Sequence, residues 1–158
     1  PDKTFNRTYS IKFPKIPKEE IKVVDSELGK LSLDIQTYEP KSNDDDDNLA
    51  YMAMETKYPS SIVDPNDTYK LNLFYIQNIN SSLKSANGEL ISINDIYYKG
   101  KLGKEFRCYI SEGIAKMVYR IFYYNERAYI YGVITPSDMD NNKEMKKFFD
   151  SFNIEEFK

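Results

Sequence analysis

Along the pattern of apolar and polar positions, the stretch that organises the chain runs from Ile114 to Thr135, IAKMVYRIFYYNERAYIYGVIT. Its β-branched and aromatic residues suit a pleated, buried surface, so the stretch predicts two long strands. Asn125-Glu126 reads as the turn between them, Asn125 tolerating positive φ and Glu126 suiting it less well. Pairing Tyr124 with Arg127 then fixes both faces, because side chains alternate strictly along a strand. Met117, Tyr119, Ile121, Tyr123, Ala128, Ile130, Gly132 and Ile134 share one face, which is nearly all apolar and must be core. Lys116, Val118, Arg120, Phe122, Tyr124, Arg127, Tyr129, Tyr131, Val133 and Thr135 share the other. That face is mixed yet too aromatic for open water, which predicts a sheet covered on both sides.

The same pattern places the remaining elements. Tyr9 to Phe13 predicts a short strand, ended by Pro14 and Pro17. Ile21 to Asp25 and Leu31 to Tyr38 predict a hairpin around Leu28-Gly29-Lys30, with Leu31, Leu33, Ile35 and Thr37 inward and Ser32, Asp34 and Gln36 outward. Leu49 to Tyr58, Leu90 to Tyr98 and Lys104 to Ser111 are further strands, the last pointing Phe106, Cys108 and Ile110 inward after a Gly100–Gly103 turn. Asp67 or Thr68 caps a helix that stops at Asn87-Gly88. Helical spacing collects Tyr69, Leu73, Tyr75, Ile76, Ile79, Leu83 and Ala86 into its inner stripe, leaving Leu71 and Phe74 outside. Ser137 is expected to cap a final helix carrying Met145, Phe148, Phe149 and Phe152 on one side.

Short links between strands mean antiparallel neighbours. The expected fold class is α+β, an antiparallel β-sheet sandwiched between helices, in a single domain over residues 1–158 with 1–8 a flexible extension. The chain is long enough to bury a real core, with 41% hydrophobic and 15% aromatic residues. Its net charge of −3 leaves no footprint for nucleic acid, and no run is long enough to span a membrane. The absence of histidine removes the commonest general base and metal ligand. The one cysteine, Cys108, reads as a small buried hydrophobe. Asp44 to Asp47 lie adjacent with no following glycine, unlike the spaced ligands of a calcium loop, so they predict a solvated, mobile loop without metal. No catalytic, metal or cofactor residue stands out, and no cofactor is expected.

Three segments carry a family resemblance. Gly100-Lys-Leu-Gly103-Lys-Glu-Phe106 is similar to a G-x-x-G-[RK]-E-[FY] turn and strand, and Arg120-Ile-Phe-Tyr-Tyr-Asn-Glu-Arg127-Ala-Tyr129 to an R-x-Y-x-x-x-x-R-x-Y hairpin. Lys147-Phe-Phe-Asp-Ser-Phe152 resembles the last helix of the same family. Together they resemble the PsbP-like family, whose fold is shared with the extrinsic PsbP protein of photosystem II and a Ran-binding nuclear-transport factor. The resemblance is nearest to small exported bacterial members of uncharacterised role. It implies an α/β/α sandwich and a non-enzymatic binding or accessory domain, periplasmic or anchored in the cell envelope. The chain begins at Pro1 rather than Met, so an upstream secretion signal or lipid anchor belongs to that expectation. A hydrolase working with carboxylates alone and a cytoplasmic protein–protein adaptor are the alternatives. The expected partner is a protein or small molecule, met by a monomer. Arg120, Arg127, Tyr129 and Tyr131 form the candidate partner patch, with the end near Tyr129 and Arg127 expected to stay open. The competing expectation is that the last helix covers this face and Arg120 stacks on one of its rings.

Overall fold

A computed structural model describes residues 6–155. Its elements are β1 (Tyr9–Ser10), β2 (Lys18–Ser26), β3 (Gly29–Tyr38), β4 (Ala50–Lys57), α1 (Thr68–Ala86), β5 (Glu89–Tyr98), β6 (Lys101–Ile110), β7 (Ala115–Tyr124), β8 (Arg127–Pro136), α2 (Lys143–Asp150) and β9 (Asn153–Ile154). The class is α+β, mostly antiparallel sheet with two helices. Asn125 and Glu126 turn β7 into β8 with positive φ at both positions, 51° and 65°, the hand that matches strand twist. The ladder runs from Tyr124↔Arg127 to Ala115↔Pro136 in the expected register. This hairpin lies near the middle of a seven-stranded sheet of order β2-β3-β4-β8-β7-β6-β5. A separate pair, β1 and β9, joins the two ends of the described chain.

Each face of the hairpin belongs to its own cluster. Met117, Tyr119, Ile121, Tyr123 and Ile130 pack with Leu71, Phe74, Tyr75 and Ile79 of α1. Val118, Phe122, Tyr129, Tyr131 and Val133 pack with Met145, Phe148 and Phe149 of α2, with Phe152, and with Tyr9 and Ile154 of the small sheet. The inner stripe of α1 is therefore rotated from the sequence expectation. Leu71 and Phe74 are buried, whereas Tyr69 and Leu73 face water. Tyr75 sets the rotation. Its hydroxyl donates to Leu102 O (2.8 Å) and accepts from Tyr123 N (2.9 Å), filling the gap where the β6–β7 ladder ends.

Asp67 does cap α1, and Asn87 ends it in the left-handed region. The second helix starts later than Ser137. Asn142 is its cap, accepting from Met145 N at 2.9 Å. The Asn142 amide also reaches Asn48, Thr135 and Met139, which holds the preceding residues in a turn. Ser137 instead donates to Gly113 O. Phe152 lies beyond α2 but still enters the core.

Three further expectations are corrected. β6 begins at Lys101, because the turn is Lys99-Gly100 and Gly103 sits inside the strand. Asp34 and Gln36 are buried rather than exposed, at 1% and 8%. Arg7 and Thr8 are tied to the sheet by hydrogen bonds, so the flexible extension does not reach them; residues 1–5 lie outside the described residues.

Candidate functional site

Arg120 stands where three strands align. Its cross-strand neighbours are Glu105 on β6 and Tyr131 on β8. Nε donates to Glu105 at 2.7 Å, and the guanidinium lies 4.4 Å from the centre of the Phe149 ring. Glu105 also accepts from Arg107, which continues to Asp140 at 2.9 Å, and Lys116 approaches the same carboxylate at 3.5 Å. Burial works against the charge on Glu105. Hydrogen bonds from Arg120 and Arg107 outweigh it together and hold the carboxyl below its usual range.

Arg120 opens on a cleft of about 520 Å³, lined by the rings of Tyr98, Phe122, Tyr131, Phe149 and Phe152 and also by Asp95 and Asp150. Phe152 organises the rings. It stacks on Tyr131 at 4.1 Å between centroids and meets Tyr98 edge-on at 5.4 Å. Phe122 reaches the cleft across Gly103, where a Cβ would come within 2.5 Å of its ring. That close approach explains a glycine inside β6. Asp95 is paired with Lys104. A larger hollow, about 870 Å³, lies elsewhere between the segment before β2 and the end of β3, lined by Lys15, Ile16, Lys18, Tyr38 and Lys41.

The four patch residues separate into two pairs. Arg120 and Tyr131 both line the cleft, with Arg120 partly exposed and Tyr131 buried. Tyr129 and Arg127 do not stay open, which corrects the expectation for that end. Tyr129 is 1% exposed and its hydroxyl meets Thr8 Oγ1. Arg127 pairs with Glu55 at 3.1 Å. The physical reason is the segment leading into β1, which lies over this end. The stacking of Arg120 on Phe149 is the covered-face arrangement that competed with an open patch.

The sequence reading missed a buried polar network beside Tyr129. Glu55 and Asp34 are cross-strand partners on β4 and β3, at 0% and 1% exposure. Like charges placed opposite each other oppose pairing, so each carries its own cation. Arg7 grips Asp34 through Nε and Nη2, and also meets Glu19 at 2.9 Å. Glu55 accepts from Thr8 N (3.1 Å) and Thr8 Oγ1 (3.0 Å) and pairs with Arg127. Burial is the dominant influence on Glu55 and raises its pKa despite these bonds. Tyr9 donates to Gln36 at 2.8 Å. Register was the signal that could have found this network, since Tyr129, Glu55 and Asp34 are successive neighbours across the sheet. Both carboxylates are closed off and paired, so this pair offers no acid and base to a substrate.

The aspartate run is pinned at Asp44 and Asp46, while Asp45 and Asp47 are exposed. Asp44 accepts from Lys15, Tyr38 and Lys41 N, and Asp46 from Tyr51 (2.6 Å) and Asn48 N (2.9 Å). Among the described residues, no three His, Cys, Asp or Glu side chains are grouped to hold a metal ion. No described helix is long and apolar enough to cross a membrane.

No family model matches the chain, and no curated protein matches it. Among solved structures, the solution structure of cyanobacterial PsbP (CyanoP) from Synechocystis sp. PCC 6803 is similar, with 10% identity and a TM-score of 0.48. The likeness covers 92% of this chain and 97% of that one. At that level it carries nothing about function.

Proposed function

We propose that the chain is a non-enzymatic binding or accessory domain, an α/β/α sandwich of the PsbP-like kind acting outside the cytoplasm, whose ligand site is the aromatic cleft at Arg120. The observation that supports this reading is Arg120 itself. It lines an aromatic cleft with its side chain 28% exposed, while Tyr129 and Tyr131 beside it on the same face are buried. Ring walls favour a flat apolar group, and a guanidinium favours a carboxylate or a second ring above it. The ligand class is therefore an aromatic group bearing or flanking a carboxylate, on a small molecule or on a partner protein.

Phenylacetate and benzylamine are the probes that test it, titrated into the labelled protein and followed by NMR. Phenylacetate is expected to shift resonances of Tyr98, Arg120 and Tyr131, and the shifts should vanish in an Arg120→Ala variant that still melts cooperatively. Benzylamine should move them less. Equal response to both probes, or none to either, overturns the site. The location is tested separately, by fractionating cells and sequencing the N-terminus of the native protein. A protein recovered only from cytosol rejects that part.

A further inference from the structure

The two edges of the sheet differ. β5 is broken by a register shift between Leu90 and Ser92, a device that blunts an edge against further pairing. β2 pairs with β3 without interruption from Lys18↔Thr37 to Ser26↔Gly29, and all nine of its residues are exposed. Its outer edge thus offers a long, regular ladder. Ile21 and Val23 leave 42% and 60% of their surface in water on one side of it. Lys18, Glu20 and Lys22 alternate on the other side.

We propose that β2 is a self-association edge, pairing antiparallel with β2 of a second copy about a two-fold axis through Ile21. An axis perpendicular to the sheet keeps opposed residues on the same face, so only registers centred on a residue are allowed. Centred on Ile21, each Glu20 faces a Lys22, Ile21 faces Ile21, and Glu19 lies beside Val23. Lys18 can lay its stem across Val24. Pro17, which has no N–H to donate, ends the ladder beyond Lys18. The neighbouring registers are repulsive. Centring on Glu20 opposes it to itself and sets Lys18 against Lys22. Centring on Lys22 opposes it to itself and sets Glu19 against Asp25. Opposite charges across strands favour pairing and like charges disfavour it, so the strand's own charge order favours itself as partner, centred on Ile21 rather than one residue to either side. The lysines that would repel a foreign strand are matched here. On this proposal the chain forms a dimer, where the sequence led to the expectation of a monomer.

Sedimentation velocity over micromolar to submillimolar concentrations tests the association, with a species of twice the 18.5 kDa chain expected. Glu20→Lys alone and Lys22→Glu alone each create like-charge pairs, and each should weaken dimerisation about tenfold or more. Mixing the two single variants should restore it, because each then supplies what the other lacks. Both positions are exposed, so both variants should melt with the wild type at dilutions where all are monomeric. Ile21→Cys should form an intermolecular disulfide readily, since Cα atoms of an opposed pair are about 4.5–5.5 Å apart, within disulfide range. Val24→Cys should not, because its counterpart would lie about 20 Å away along the strands. Cys108 is buried and does not compete. A wild type that stays monomeric throughout, single variants that dimerise as well as wild type, or equal cross-linking of the two cysteine variants would each overturn the proposal.

Discussion

Tyr75 and Tyr123 are both buried on the α1 side of the sheet, yet their hydroxyls have opposite fates. Tyr75 OH satisfies two backbone groups, Leu102 O and Tyr123 N. Tyr123 OH is buried with no hydrogen-bond partner among the described residues. Tyr75→Phe leaves both backbone groups unpaired, and should cost about 1–3 kcal/mol in urea unfolding. Tyr123→Phe removes an unsatisfied group and should be neutral or stabilising by about 1 kcal/mol. Equal losses from the two variants would contradict this assignment. Glu126 is a second residue-scale case. Its φ of 65° is strained for any residue with a Cβ, whereas the turn at Asn125 favours a following glycine. Glu126→Gly should therefore raise stability, by about 1 kcal/mol, and the melting temperature with it. Cys108 is fully buried and its thiol pKa is pushed up by burial, so a thiol reagent should label it only on global unfolding.

Among the elements, α2 depends most on its contacts. Eight residues are too few to hold a helix in water. Met145, Phe148 and Phe149, with Phe152 just beyond, supply the burial that holds it. Phe149→Ala and Phe152→Ala should each cost about 3–5 kcal/mol, and Phe149→Ala should also remove the ring beneath Arg120. The β7–β8 hairpin was readable from sequence because the Asn125-Glu126 turn set its register, and strict alternation then assigned both faces. The α1 stripe was not, because apolar residues lie all around that helix and a tyrosine hydroxyl chose the side. The patch was half readable. Arg120 and Tyr131 do share a cleft, but no local pattern shows that residues 7–9 would close the end at Tyr129. β3 failed for the same reason: Asp34 and Gln36 look solvent-facing until a distant segment covers them. Glu55, buried on β4, and Glu105, half-buried on β6, should also titrate in opposite directions from 4.5. Glu55, raised, binds its proton more tightly folded than unfolded, so it disfavours the fold as pH climbs from 4.5 through its folded value. Glu105, lowered, contributes stability that is present above 4.5 and is lost as pH falls through its folded value. Carboxyl carbon shifts across a pH series should separate them, Glu55 protonating first on acidification.

At the scale of the whole molecule, the ends of the described chain close the α2 side of the sheet together. β1 pairs with β9, and Glu155 N donates to Thr8 O at 2.8 Å. From this junction Arg7 reaches Asp34 on β3, and Thr8 reaches both Glu55 on β4 and Tyr129 on β8. Three strands are thus tied to one N-terminal segment through charged or hydroxyl groups, not through apolar contact alone. Such a tie is asymmetric in energy. Removing one partner of a buried pair leaves an uncompensated charge, at a typical cost of about 3–5 kcal/mol, while removing both charges costs far less. Arg7 is partly exposed, so its loss should fall near the lower end, about 3 kcal/mol. The test is a double-mutant cycle of Arg7→Ala and Asp34→Asn, read by chemical unfolding. Asp34→Asn in the Arg7→Ala background should recover part of the loss, because the orphaned carboxylate is gone. Hydrogen exchange in Arg7→Ala should rise first at residues 8–10 and 153–155, which share the β1–β9 junction. If the two substitutions are simply additive and exchange rises no faster there than in the β7–β8 ladder, the N-terminal segment is a passenger on the sheet and not the clasp that closes it.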